Sequence, residues 1–518
     1  MKLNLPSSWS KLADFLVEQV GRIEAALPGV YAFAFVEENL AWNATVHRSE
    51  TTGSSADRGV VFRALFRGVN FERALNDLEP SALSAAVEGL IADVKKRAPE
   101  SGPSWQAEPW AVEDRSTLPP SVAEQLPPSL KPQDLVVFTP EIGQWPEVPS
   151  ALLALQEARR LRAEALALEA EWLRAHADQK PLPFVMANIR LRLQRHLFVD
   201  RERRMAQILP LALAVISGQS EGGHAQRALA GGVGGWERLT LAREDFEEAL
   251  FTPRALDKAR RLEPGRYAVI TGPDVTGVVA HEAFGHTQEG DTIRQGRSIS
   301  PWLRRQGPTG NAEASIANDP ALFEVDGQVA APNASYYFDH EGRLARPTWL
   351  IHRGQLGDPM TDLLSAVHLG VPRTANGKRE SWRRPTLTRQ TNTYFTPGSG
   401  TLQDLIARVP RGFLARHSHG GMEDPKGANL TAGTEYLEEI RDGRLTGEIF
   451  LGPSGGHIEL AGYVPDMLLN IVAKSGNASP SAASAPLTLS GGCGKFHKEY
   501  VMAGCGGTYI LWKELTAG

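Results

Sequence analysis

Leu12, Leu16, Val20, Ile23 and Leu27 recur at three- and four-residue steps, so the chain predicts an amphipathic helix that ends at Pro28. Tyr31 to Val36, Leu40 to Val46 and Val60 to Phe66 read as short strands, with breaks expected at Glu37-Glu38-Asn39 and at Thr52-Gly53-Ser54. A helix over 81–96 follows. From about Pro99 to Pro149 the chain is rich in Pro, Ser, Glu and Gln without a period, which predicts an irregular, partly mobile insertion. Ser150 can cap a long helix running to about Asp178 and stopped by Pro181. Between Val185 and Val199, Ile189, Leu191 and Leu193 alternate with Arg190, Arg192 and Gln194, the pattern of an amphipathic strand. Arg190, Arg192 and Arg195 are expected to be solvated there, and Gln207 to Ser217 to return as hairpin partner.

The glycine-rich run Gly231 to Gly235 reads as a loop. It lacks the strand–G-x-G-x-x-G–helix context that a nucleotide site needs. A helix over about 243–261 leads to Pro264-Gly265, the expected domain boundary, and to a short strand over Tyr267 to Thr271. Asp274 can cap the next helix. Beyond Asp291 the chain turns β-rich, with strands expected at 334–340, 349–353, 391–395, 434–441 and 445–451, and no internal repeat. The fold class is therefore α+β. Residues 1–263 make an amino-terminal α+β domain, with the Pro-rich insertion and long helix at about 99–180. Residues 264–518 make a β-rich carboxy-terminal domain that carries the candidate metal-site helix.

Composition narrows the function classes. The 518 residues are 42% hydrophobic and 22% charged, as in an ordinary soluble chain of two or three domains. A net charge near −5 and a pI near 6.3 give no global pull toward nucleic acid or anionic membrane. No apolar run approaches the roughly 20 residues that span a bilayer. The start of the chain lacks a signal-peptide pattern. Only Cys493 and Cys505 supply thiols, so a cytoplasmic location with both reduced is expected.

The stretch with most chemistry is His281-Glu282-Ala283-Phe284-Gly285-His286. Two imidazoles can hold a metal ion, and the carboxylate between them can serve as a base. The familiar H-E-x-x-H spacing places its histidines on one helix face. Here one residue is added, and at about 100° per residue a five-residue step separates the rings by roughly 140°. A π-bulge would swing His286 back beside His281, and Gly285 would ease that distortion. A catalytic zinc commonly has three protein ligands. Candidates for the third are Cys493, His497, His417, His419, His457 and Glu289, while Glu289 and Asp291 could instead orient an imidazole from behind.

Several segments, in order, resemble the TldD/PmbA metalloproteases and their TldD-like catalytic branch. They are Asp57-Arg58-Gly59-Val60, the histidine motif with Glu289-Gly290-Asp291, Thr374 to Ser381 (TANGKRES), Thr391-Asn392-Thr393-Tyr394 with Pro397-Gly398, and Cys493-Gly494-Lys495. The resemblance implies a zinc ion held by His281, His286 and Cys493, with Glu282 as general base activating water at the zinc. It also implies a homodimer, or a heterodimer with a metal-free TldE/PmbA-like sister, enclosing a chamber that admits unfolded or short peptides. Residues 99–180, the segment after Lys495 and His417 to Gly421 depart from the family pattern.

The leading expectation is thus a zinc-dependent metallopeptidase. The rival is a non-catalytic partner subunit or scaffold, against which the presence of Glu282 speaks. A metal-dependent amidase or esterase would use the same groups. Asn376 to Glu380 can be read as loop groups lining the site or as a solvated turn.

Overall fold

The protein's structure, a computed structural model, describes residues 1–323, 333–476, 491–495 and 499–518. The amino-terminal half is built on one sheet. Its strands are β1 (Tyr31–Val46), β2 (Glu50–Phe66), β3 (Val69–Leu75), β4 (Leu135–Phe138), β5 (Phe184–Val199), β6 (Arg204–Gln219) and β7 (Ala225–Val233). They run in the order β3-β2-β1-β5-β6. The start of β6 takes β4 in parallel, and the rest of β6 takes β7 antiparallel.

Tyr31 to Val36 is apolar at every position because both faces of β1 are covered. Successive side chains point to opposite faces. Tyr31, Phe33 and Phe35 enter one apolar cluster; Ala32, Ala34 and Val36 enter another with helices α1 (Ser8–Ala26) and α2 (Pro80–Arg97). On α1, Leu16, Val20 and Ile23 are fully buried, as their spacing predicts.

The two expected strand breaks are absent. β1 continues through Glu37-Glu38-Asn39, and β2 takes in Thr52-Gly53-Ser54. Buried Glu37 is tolerated because its carboxylate accepts from Asn39 Nδ2 and from the Trp382 N–H, each at 2.6 Å. Arg192 and Arg195 are half-buried rather than solvated, donating to Asn39 and Glu38. Gly231 and Gly232 lie inside β7, opposite Leu213 and Ala212, not in a loop.

The Pro-rich segment is mostly irregular, yet anchored. Trp110, Leu118, Leu126 and Val122, the last in α3 (Pro120–Ala123), are buried in the cluster around Phe33, and β4 joins the sheet. Ser150 Oγ accepts from the Leu153 N–H and caps α4 (Ala151–Ala175).

Helix α5 (Arg243–Leu256) ends earlier than expected. After β8 (Arg260–Arg261), β9 (Gly265–Thr271) lies between the parallel strand Arg411–Asp424 and the antiparallel strand Ile510–Ala517. The latter continues to Ile458–Tyr463 and then Asn429–Arg441, which pairs back on Arg411–Asp424. These five strands close on themselves. Against them packs α6 (Pro273–Ala280), whose Val275, Val278 and Val279 share a core with Phe413, Leu460 and Trp512. Gly272, not Asp274, takes the N-cap of α6; Asp274 sits in the first turn and accepts from the Ser418 N–H at 2.7 Å.

A second, smaller sheet joins Gln355–Leu356, Thr348–His352, Ile316–Asn318, Asn392–Phe395 and Gly504–Gly506. The strand expected over 334–340 does not form. A single bridge links Phe338 to Leu344, and Tyr336, Tyr337 and Phe338 turn instead into the cluster around Phe33, joining the two halves. The fold is α+β with a β-rich carboxy-terminal half, as the pattern of positions predicts.

Candidate metal centre

Helix α6 leads directly into the histidine motif. His281–Gly285 form a π turn, closed by the His286 N–H donating to the His281 carbonyl five residues back. That turn absorbs the extra residue of the spacing. The rings of His281 and His286 lie 4.9 Å apart between centroids and perpendicular to one another.

Gly285 serves this geometry differently from expectation. Its φ of −57° is ordinary for a helix, so conformational freedom is not needed. Space is needed: a Cβ there would fall 1.8 Å from Gln390 Oε1. Gln390 Nε2 donates to the His281 carbonyl at 3.1 Å, bracing the group that closes the π turn.

Cys493 arrives from a short strand, Gly492–Cys493, paired with Val501–Met502. Its Sγ lies 3.2 Å from His286 Nε2. Ligand atoms of His281, His286 and Cys493 all fall within 4.8 Å of one another, and all three residues are buried. The structure brings together the three residues that the resemblance singles out. Other candidates for the third place lie elsewhere. His417 pairs with Glu248 at 2.8 Å, and His419 and His457 stack on each other at 4.0 Å. His497 lies outside the described residues.

Glu289 sits behind the site. Its Oε2 accepts from His286 Nδ1 at 2.9 Å, which leaves Nε2 facing Cys493. Lys495 Nζ holds Glu289 at 2.8 Å and Asp291 at 2.5 Å, and Arg389 donates to the Cys493 carbonyl. Burial would raise the Glu289 carboxyl, but Lys495 and His286 outweigh it and hold it well below the usual range. Burial lifts Asp291 to about 6 against the pull of Lys495. Burial would also raise the Cys493 thiol, yet the His286 and His281 rings hold it well below the ordinary thiol value. Glu282 lies 3.9 Å from His286 Nε2, and its burial, with help from Glu423, pushes its carboxyl well up despite His286.

The donor set suits zinc. Two imidazole nitrogens and a sulfur inclined to the thiolate are favoured zinc ligands. His281 Nδ1 is buried without a hydrogen-bond partner among the described residues, a costly state unless something further engages the ring.

Asn376 to Arg379 are buried, so the solvated-turn reading of that segment fails; Glu380 alone is exposed. Lys378 Nζ donates to the carbonyls of Gln390 and Met502, and burial, then Arg389, lowers its pKa to about 7. Gly59 of the Asp57 to Val60 segment is where the Trp382 ring packs, 2.2 Å from where a Cβ would stand, and Asp57 pairs with Arg383. Arg389, Gln390 and Glu423 were not singled out by sequence reasoning. For the first two a signal existed, since they directly precede Thr391-Asn392-Thr393-Tyr394. Glu423 had none.

Residues 264–499 match the family model of the PmbA/TldA metallopeptidase C-terminal domain. Over that segment the chain is similar to the TldD/PmbA metallopeptidases. It is 32% identical over 251 residues to a metalloprotease of Methanothermobacter thermautotrophicus, covering 46% of this chain and 50% of that protein. It is 32% identical over 170 residues to a zinc metalloprotease TldD homolog of Saccharolobus solfataricus, covering 33% and 36%. The chain thus spans half or less of the length of these relatives. In structure it resembles TldE from Thermococcus kodakarensis, with a TM-score of 0.63 and 14% identity over 97% of this chain and 100% of that one, a likeness of fold. Among the described residues no helix is long and apolar enough to cross a membrane.

Proposed function

We propose that this chain is a zinc-dependent metallopeptidase that hydrolyses unfolded or short peptides. The observation that carries the reading is the π turn, which sets His281 and His286 beside Cys493 with Glu282 at the same site. In this reading His281, His286 and Cys493 hold the ion, residues 264–518 form the peptidase domain, and residues 1–263 form the domain before it. Zinc bound there would supply Lewis acidity toward the scissile carbonyl and the attacking water. The chain's own residues do the rest. Glu282 takes the water's proton on its carboxylate and delivers it to the leaving amine. Glu289 keeps a proton on His286 Nδ1, so that Nε2 remains free to ligate. Main-chain bonds to a strand edge would hold an extended peptide without demanding a sequence.

The zinc metalloprotease named among the relatives supports the metal and the activity. We further propose that it works in the cytoplasm as a homodimer, or as a heterodimer with a TldE/PmbA-like sister, whose chamber admits unfolded chains; TldE from Thermococcus kodakarensis shares its fold. The test combines zinc content with cleavage of an unfolded peptide by wild type and Glu282→Gln, alone and with a sister chain. Wild type should bind zinc, and the variant should keep it while losing about 10²- to 10⁴-fold in rate. A wild type without zinc, or an equally active variant, removes the reading.

A further inference from the structure

We propose that Glu423 is a cation anchor beside the metal centre, binding an ammonium or guanidinium group of the peptide and so favouring positively charged substrates. The proposal rests on the peptidase reading above and adds the chemical class of peptide to it.

Glu423 stands on the strand Arg411–Asp424, opposite Leu430. Its Oε1 is 4.0 Å from His286 Nε2, and single oxygens of Glu282 and Glu423 lie with an His286 nitrogen inside a 4.8 Å span. It therefore faces the reacting groups. The acidic groups behind the centre are matched: Glu289 by Lys495 and Arg389, and Asp291 by Lys495. Among the described residues no lysine or arginine forms an ion pair with Glu423. Its neighbours at the centre are His286, which ligation would hold neutral, and the carboxyl of Glu282, which hydrogen-bonds to it. A cation placed here would relieve the repulsion between the neighbouring carboxyl groups of Glu282 and Glu423.

That charge is reachable. Glu423 lines an open cleft of about 550 Å³ whose other walls include Met422, Leu430, Ala461 and Tyr463. The apolar walls suit side chains of a peptide, and Glu423 and Asp424 place carboxylates along the same cleft. At 23% side-chain exposure the carboxylate is partly desolvated. An ion pair made there is stronger than one on the open surface, where such pairs contribute little. The cation can come from a free α-amino terminus or from a lysine or arginine side chain.

The experiment uses full-length, zinc-loaded protein carrying Glu282→Gln, which binds without turnover, with and without Glu423→Gln. Binding of peptides of one apolar sequence, fluorescein-labelled at the carboxy terminus, is followed by anisotropy. One peptide has a free amino terminus, one is acetylated, and one is acetylated with a single internal lysine. Zinc affinity is measured by competition with a chelating dye. At least one cationic peptide should bind roughly tenfold tighter than the acetylated neutral one. Glu423→Gln should abolish that preference with zinc affinity held to within about twofold. Preference for the first peptide identifies the α-ammonium as the cation; preference for the third identifies a side chain.

The proposal is overturned if the cationic peptides bind no better than the neutral one, or if the preference survives Glu423→Gln. It is also overturned if zinc affinity falls together with the preference, which would make Glu423 a metal ligand. Cleavage of the same peptides by wild type separates the two readings. Charge-selective binding without any cleavage would remove the peptidase assignment and leave the anchor standing.

Discussion

The amino-terminal sheet and the metal centre are both buried, but they are filled with opposite chemistry. Around β1 the interior is mostly Phe, Val, Leu and Ala, with fewer buried polar groups, among them Glu37, the Arg63–Glu341 pair and His196 with Gln207. Around the centre the buried residues include Asn376, Lys378, Thr388, Arg389, Gln390, Thr391 and Asn392. These are held by hydrogen bonds such as Asn376 Nδ2 to the Arg389 carbonyl and Thr391 Oγ1 to Asn318 Oδ1. Apolar contacts are non-directional and accept small adjustments. Hydrogen-bond networks fix individual atoms and are costly when half-made. The first region therefore governs whether the chain folds, and the second governs where the three candidate ligand atoms stand.

Three measurements can break or sharpen that division. Leu16→Ala, in the fully buried face of α1, should lower stability by about 2–5 kcal/mol in a denaturant titration. Zinc affinity of the molecules that remain folded should not move; a parallel loss would show that the two regions are not separable. Glu289→Gln should do the converse. It weakens the acceptor that orients His286 and should cost about 10- to 100-fold in zinc affinity, read by chelator competition. The metal-free protein should keep its circular dichroism, and an unchanged affinity would refute the positioning role.

The smallest effect concerns a contact between the halves, the pair of Glu248 on α5 and His417 on the strand Arg411–Asp424. Burial acts against both charges, but each partner outweighs it: His417 is raised, and Glu248 is lowered to about 2. The raised histidine stabilises fully below its ordinary value of 6.5, and this is lost as pH rises through the folded value. The depressed glutamate stabilises above its ordinary value of 4.5, and this is lost as pH falls toward about 2. His417→Ala should therefore lower the Tm most between pH 4.5 and 6.5, by the equivalent of no more than about 1 kcal/mol, and progressively less in alkali. A Tm difference that grows with pH would assign the pair another role.

The contrast also explains what was legible in the sequence. Helices α1, α2 and α4 and strand β5 carry strong periods because each packs one apolar face, and their positions follow from pattern alone. The continuation of β1 through Glu37 does not, because the Trp382 N–H that satisfies the carboxylate is 345 residues away. The need for a π turn follows from the five-residue step between His281 and His286. The reason for Gly285 does not, since Gln390 is brought to it only by the fold. Cys493 is recognisable through family resemblance rather than spacing. Glu423 has neither period nor motif, and only the closing of the strand ring brings it to the site.

The remoteness of Cys493 has a bearing on synthesis. It follows His286 by 207 positions. At about 5–20 residues per second, roughly 10–40 s separate the translation of the histidine motif from that of the thiol. Through that interval a growing chain holds Glu282 and two of the three proposed ligands but not the sulfur. An enzyme that attacks unfolded polypeptide would thus be unarmed while it is itself unfolded polypeptide, crowded among other nascent chains. On the proposed reading, the order of residues along the gene would act as a safety catch, released only when the last proposed ligand leaves the ribosome.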